Sequence, residues 1–124
     1  MEFKIDTKES FTIIMPPNAT IDAKLATGLQ EKCEEMRQRG SKNFIIDLNG
    51  CPEMDKNAII GLIALHEESY GLDQSLVYTG VNKQCMSLLR EDETDLLINI
   101  APSMKEAIDI VSMEILERNL FNEE

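Results

Sequence analysis

The chain has 124 residues, 43% of them apolar, and its 12 Lys and Arg against 23 Asp and Glu give a formal charge of −11. That length makes one domain with enough apolar content for a packed core. The acidity excludes the clustered cations that nucleic acid or an anionic membrane surface requires, and suits basic or neutral protein surfaces instead. No apolar run approaches the roughly 18 residues of a membrane span, and no basic-then-apolar leader follows Met1, so the expected location is the cytoplasm without membrane insertion. Cys33, Cys51 and Cys85 are odd in number and widely spaced, which is neither a disulfide framework nor a zinc pair. They are expected as reduced, buried thiols.

Residues 3–6 and 11–15 are short β-prone runs separated by the polar Thr7-Lys-Glu-Ser10, an opening hairpin that Pro16-Pro17 ends because proline cannot donate to a ladder. From Ile21 a helical stripe of Ile21, Leu25, Leu29, Cys33 and Met36 follows, with Thr20 as the expected N-cap, Asp22 in the first turn and Gly40 as the stop. Residues 44–48 form a continuous apolar run, the pattern of a strand covered on both faces. A second helix opens at Asp55 and carries Ile59, Leu62, Ile63 and His66 toward Gly71. Residues 75–79 form the next strand, Gly80-Val-Asn82 the turn into a short helix with Met86 and Leu89, and residues 96–100 a final strand. Ser103-Met-Lys-Glu106 has the spacing of a capping box and starts the last helix, with Met104, Ala107, Ile108, Val111 and Ile115 on one face. Residues 1–118 thus make the domain and 119–124 a polar tail, in which Leu120 and Phe121 dock either on the core or on a second copy, so homo-oligomerisation stays open. The order ββαβαβαβα predicts an α/β fold with a mixed, mainly parallel sheet of about five strands and four helices.

The stretch Asn43-Phe-Ile-Ile-Asp-Leu-Asn-Gly-Cys-Pro-Glu-Met-Asp-Lys-Asn-Ala-Ile-Ile-Gly-Leu-Ile-Ala-Leu65 reads as a buried strand, a turn carrying acids and a helix opening at Asp55. It resembles the signature of the STAS domain, the fold of anti-sigma factor antagonists and sulfate-transporter tails. The likeness extends over residues 3–117. It takes in the proline-ended second strand, Ile21-Asp22-Ala23, Leu88-Leu89, Thr94-Asp-Leu-Leu97 and Glu106-Ala-Ile108. In that family the second helix usually opens with Asp-Ser or Asp-Thr, whose hydroxyl a partner kinase phosphorylates; here the chain has Asp55-Lys-Asn-Ala58. Lys56, at the phosphosite-equivalent position, cannot accept phosphate from a serine kinase. It also places a cation where the helix dipole favours an anion.

Two readings of Lys56 stand. It is a solvated side chain balanced by Asp55, Glu53 or Asp47, or an interface residue of an adaptor that works without phosphorylation at this site. The resemblance implies a non-enzymatic protein-interaction module whose partner is an anti-sigma factor or a related kinase-type switch protein. The docking surface it implies comprises Cys51, Glu53, Met54, Asp55, Lys56, Asn57 and Ile60; no phosphorylation is expected at this site, and phosphate on a nearby residue such as Ser69 or Ser75 would show that the switch had moved. The alternative is an accessory subunit of a transport ATPase of the lipid-transport type.

No cofactor, metal or catalytic residue is expected. His66 has no serine or cysteine beside it in a catalytic motif and reads as structural. Asp47, Glu53 and Asp55 surround one turn, where capping and chain reversal account for them better than Mg²⁺ does. No glycine-rich phosphate loop is present. A receiver-like phosphoaspartate domain would begin β-α with an acidic pair, whereas this chain begins β-β-α.

Overall fold

The computed structural model describes residues 2–122. Strands β1 (Lys4–Thr7), β2 (Thr12–Met15), β3 (Phe44–Asp47), β4 (Leu76–Thr79) and β5 (Ile100–Ala101) form one sheet in that spatial order. β1 and β2 pair antiparallel, and every later neighbour pairs parallel. Helices α1 (Ala23–Gln38), α2 (Ile59–Gly71), α3 (Lys83–Glu91) and α4 (Met104–Asn122) complete the expected α/β fold.

Alternation along the central strands divides the core between the two sheet faces. Phe44, Ile46, Leu76 and Tyr78 pack with Leu25, Leu29, Leu62 and Leu65 from α1 and α2. Ile45 and Val77 face Ala107 and Val111 of α4. Both faces of β3 and β4 are covered, which is why residues 44–48 read as an apolar run rather than an alternating one. The buried Tyr78 hydroxyl donates to the Leu62 carbonyl at 2.7 Å, so its polar atom has a partner. Gly61 lets the two helices of that face approach closely: a Cβ there would lie 2.7 Å from the Ala26 Cβ.

Four local expectations are corrected. Asp22, not Thr20, caps α1: its Oδ1 accepts the Leu25 N–H at 2.8 Å. Ile21 is extended rather than helical, because it makes a parallel bridge to Met54. The final strand is Ile100–Ala101 rather than residues 96–100, since Glu93 takes a left-handed φ of 58° and starts a 3-10 turn over Thr94–Leu96. Residues 119–122, expected in the tail, belong to α4, where Leu120 and Phe121 stay exposed rather than docking on the core. Residues 123 and 124 lie outside the described part. At the start of α4, the Ser103 half of the capping box forms, its Oγ accepting the Glu106 N–H at 3.2 Å.

Polar side chains tie the helices to the end of the sheet where β3 and β4 begin. Glu114 of α4 accepts from Ser75 Oγ at 2.6 Å and from Tyr70 OH at 2.7 Å. Arg118 donates to Ser75 Oγ at 2.9 Å and to Asn43 Oδ1 at 3.3 Å. Burial, reinforced by the Glu114 carboxylate, pushes the Tyr70 hydroxyl up to about 12, so it stays a donor. Ser69 and Ser75 are fully buried and hydrogen-bonded. Neither is available to a kinase in the folded chain, so a relocated switch is not to be sought at these two serines.

Candidate protein-interaction site

The turn after β3 is built from side-chain-to-backbone bonds. Asp47 Oδ1 accepts the Asn49 N–H at 3.0 Å, and the Cys51 N–H donates to the Leu48 carbonyl at 2.9 Å. Residues 53–55 then run extended beside Ile21, which donates its N–H to Glu53 O and accepts the Asp55 N–H, both at 2.8 Å. Asp55 ends this segment by accepting the Asn57 N–H at 2.9 Å, capping a 3-10 turn over Lys56–Ala58 that leads into α2. From the other side, Asn82 caps α3 through the Cys85 N–H and donates its Nδ2 to the Pro52 carbonyl at 2.9 Å. The segment 51–57 is therefore held between the start of α1 and the start of α3.

Within this frame Glu53, Asp55, Lys56, Asn57 and Ile60 are exposed, and Met54 is half-buried. Ile60 is 79% exposed at the head of an otherwise well-packed helix. Cys51 is the exception in the expected set. It is 3% exposed and its Sγ points to the Pro17 carbonyl at 3.7 Å, so its side chain belongs to the core and not to a contact surface. Lys56 pairs with none of the three acids near it in sequence. Its Nζ lies 3.2 Å from Glu91 Oε2 at the end of α3, with the two side chains 63% and 57% exposed. Sequence reasoning missed Glu91, which carries no local signal, because only the tertiary fold brings α3 to this turn. It read Asn82 as a turn residue, although an Asn directly before Lys83 has the makings of an N-cap.

The acids do not converge. Asp47 and Asp55 each bind a backbone N–H of their own turn, and among the described residues no group of three His, Cys, Asp or Glu is placed to hold a metal ion. Burial raises all three thiols, Cys33 to about 12, which keeps them protonated and weakly nucleophilic at neutral pH. His66 stacks on Tyr70 with ring centroids 4.6 Å apart, and its Nε2 is buried without a hydrogen-bond partner. Burial lowers its pKa below 6.5, with Glu114 and Glu67 opposing more weakly. The unfolded chain therefore binds a proton that the folded chain refuses. The His66 contribution to stability is present above pH 6.5 and is lost as pH falls through the lower folded value. Urea midpoints measured between pH 7.5 and pH 5 should fall less steeply for His66→Gln than for the parent; parallel curves would count against this assignment.

The parallel strands of this α/β layer thus lead into a capped turn and an exposed start of α2. The chain belongs to the STAS domain family, whose model matches residues 2–107. Among solved structures it is similar to an anti-sigma factor antagonist from Mycobacterium paratuberculosis, at 14% identity and a TM-score of 0.75, covering 90% of this chain and 93% of that one. A variant of RsbS from Moorella thermoacetica has 18% identity and a TM-score of 0.73, covering 95% and 99%. The anti-sigma factor antagonist SpoIIAA of Bacillus, in its unphosphorylated form, has 12% identity and a TM-score of 0.68, covering 90% and 96%. At these identities the likeness carries the fold. A search of curated proteins found no match. No helix among the described residues is long and apolar enough to cross a membrane.

Proposed function

We propose that this protein is a non-enzymatic interaction module of the anti-sigma factor antagonist kind. It docks a kinase-type switch protein through Glu53, Met54, Asp55, Lys56, Asn57 and Ile60, without phosphorylation at the usual position. The observation that carries the reading is the pairing of an exposed Ile60 with a cationic Lys56 at the head of α2. An apolar side chain left in water beside a charge is the composition of an interface centre with its rim. The similar structures that are named as anti-sigma factor antagonists support the choice of partner class. Lys56 has no hydroxyl to esterify, so partner release would depend on something other than phosphate at this residue.

Charge reversal separates an interface role for Lys56 from a merely structural one. Lys56→Glu and Glu91→Lys each break the exposed pair and should change stability by no more than about 1 kcal/mol. The double exchange restores an ion pair with its sign inverted. Calorimetric titration of the kinase-type partner should show Lys56→Glu weakening binding by about ten-fold or more, the range of a contributing interface residue. The double exchange should leave that loss unrepaired. Full recovery in the double variant would make Lys56 a tether only, and unchanged affinity in Lys56→Glu and Ile60→Glu alike would remove the helix start from the interface.

A further inference from the structure

We propose that β1 pairs with β1 of a second copy of this chain, antiparallel and centred on Ile5, joining two sheets into one. This goes beyond the interaction reading above and uses none of its residues. β1 is the outer strand beside β2, and all four of its residues are exposed. The hairpin sets the direction of its backbone groups. The Lys8 N–H donates to the Phe11 carbonyl at 2.8 Å, and the register continues with Asp6 opposite Ile13 and Lys4 opposite Met15. On β2 the Thr12 N–H turns the other way, to the Asn43 carbonyl at 2.9 Å, so Thr7 opposite it gains no bond. Backbone groups alternate along an antiparallel strand, so Lys4, Asp6 and Lys8 point theirs at β2. Phe3, Ile5 and Thr7 point theirs outward, an unpaired edge that invites a further strand.

The side chains select which strand fits. Glu2, Lys4, Asp6 and Lys8 alternate in sign along one face of the chain. Turned end to end about Ile5, this row is its own complement: Lys4 meets Asp6 of the copy, and Glu2 meets Lys8. A two-fold contact makes each of these pairs twice. They fall at the non-hydrogen-bonded positions, where opposite side chains come closest. Within one copy Lys8 Nζ lies 3.1 Å from Asp6 Oδ2, with the side chains 50% and 60% exposed, so both remain open to the copy's charges. Other registers are rejected. A slip of one residue sets outward-pointing backbone groups against inward-pointing ones. A slip of two brings Lys4 against Lys4 and Glu2 against Asp6, or Asp6 against Asp6 and Lys4 against Lys8. Like charges directly opposite destabilise a pair, and the chain's −11 already repels a second copy. On the other face Ile5, 37% exposed, meets Ile5 of the copy and gains a cover that its own fold does not give. An open groove of about 560 Å³ between Phe3 and Lys24, Thr27 and Gly28 of α1 leaves that face of the strand accessible.

The test is sedimentation velocity of the intact protein over rising concentration, with amide exchange followed by NMR. The expected result is a reversible monomer–dimer equilibrium, because a pair of strands this short is marginal on its own. The Ile5 and Thr7 amides should exchange more slowly as the dimer forms. Lys4→Glu and Asp6→Lys each set like charges opposite one another and should weaken self-association by about ten-fold or more. Mixed together, the two variants meet with opposite charges in this register and should associate as well as the parent does. Ile5→Pro removes an outward N–H and leaves the ladder to β2 whole, so it should abolish the dimer in a folded chain. If Ile5→Pro unfolds, the charge exchange decides alone. A monomer at about 1 mM, the weak end of specific association, would overturn the proposal. So would single variants that stay apart when mixed, or a dimer that every variant leaves unchanged, which would place the contact elsewhere, as on the exposed Leu116 and Leu120 of α4. Lys4→Glu should bind the kinase-type partner as the parent does, chain for chain, so failure of this contact and failure of the docking site are read separately.

Discussion

Arg37→Ala is expected to destabilise the fold by about 2–4 kcal/mol, the sum of lost charge-assisted hydrogen bonds and a lost stacking partner. The Arg37 side chain is 7% exposed. Its Nε donates to Gln74 Oε1 at 2.9 Å and its NH2 to Ser69 Oγ at 2.7 Å, while NH1 lies 3.4 Å from Glu68 Oε1 and 3.7 Å from Glu34 Oε2. The guanidinium carbon also sits 5.4 Å from the centroid of the Phe44 ring. Truncation leaves the buried Ser69 hydroxyl without this donor and uncovers one side of a core aromatic. The exposed carboxylates of Glu34 and Glu68 return to water at little cost, which keeps the total below that of breaking a fully buried ion pair. Arg37→Lys should recover only part of the loss, because an ammonium cannot present a planar fork to two acceptors and stack at once. Urea denaturation of the three proteins measures the series. A loss below about 1 kcal/mol for the alanine variant would mean that α1 and α2 are held by their apolar contacts alone.

Nothing local in the sequence marks Arg37. The pattern of α1 was legible because Leu25, Leu29, Cys33 and Met36 repeat at helical spacing and all four are buried. Arg37 lies at the margin of that stripe, and its partners come from α2 and the loop before β4, which no local pattern reveals. The same limit explains the site. Asp55 as a helix-starting cap was readable from its type and place, whereas a contact role for Met54 and Ile60 comes from the resemblance alone. The partner of Lys56 was not readable, since Glu91 reaches it only after α3 has folded back across the turn. Cys51 was misplaced for the opposite reason: proximity in sequence to Glu53 and Met54 says nothing about which way a side chain turns once Pro17 lies beneath it. The final strand shifted because Leu96 and Leu97, apolar and therefore strand-like to a pattern, are exposed next to a 3-10 turn.

Gly80→Ala should injure both the fold and the docking edge. Gly80 has φ of +75°, and a Cβ there would stand 2.6 Å from the Asn49 N and from Asp47 Oδ1. A left-handed backbone costs a non-glycine residue about 1–2 kcal/mol. A clash against backbone adds about 1–3 kcal/mol of overpacking, for a total of about 2–5 kcal/mol. Gly40→Ala supplies the comparison: Gly40 also has positive φ, at +104°, but a Cβ there meets nothing within 4 Å. The difference between the two variants in urea reports the clash rather than the dihedral. That clash falls on the turn whose Asp47–Asn49 bond starts the path to Glu53 and Lys56. Relief by displacing the turn moves the exposed residues of segment 53–57 relative to α3, so partner affinity should drop several-fold at temperatures where the variant remains folded. Relief by displacing Gly80 would instead disturb the start of α3 and the Asn82 tie to Pro52, with the same consequence for segment 53–57. Partner affinity equal to that of the parent, in a variant destabilised as expected, would show that the docking edge tolerates movement of its supporting turn.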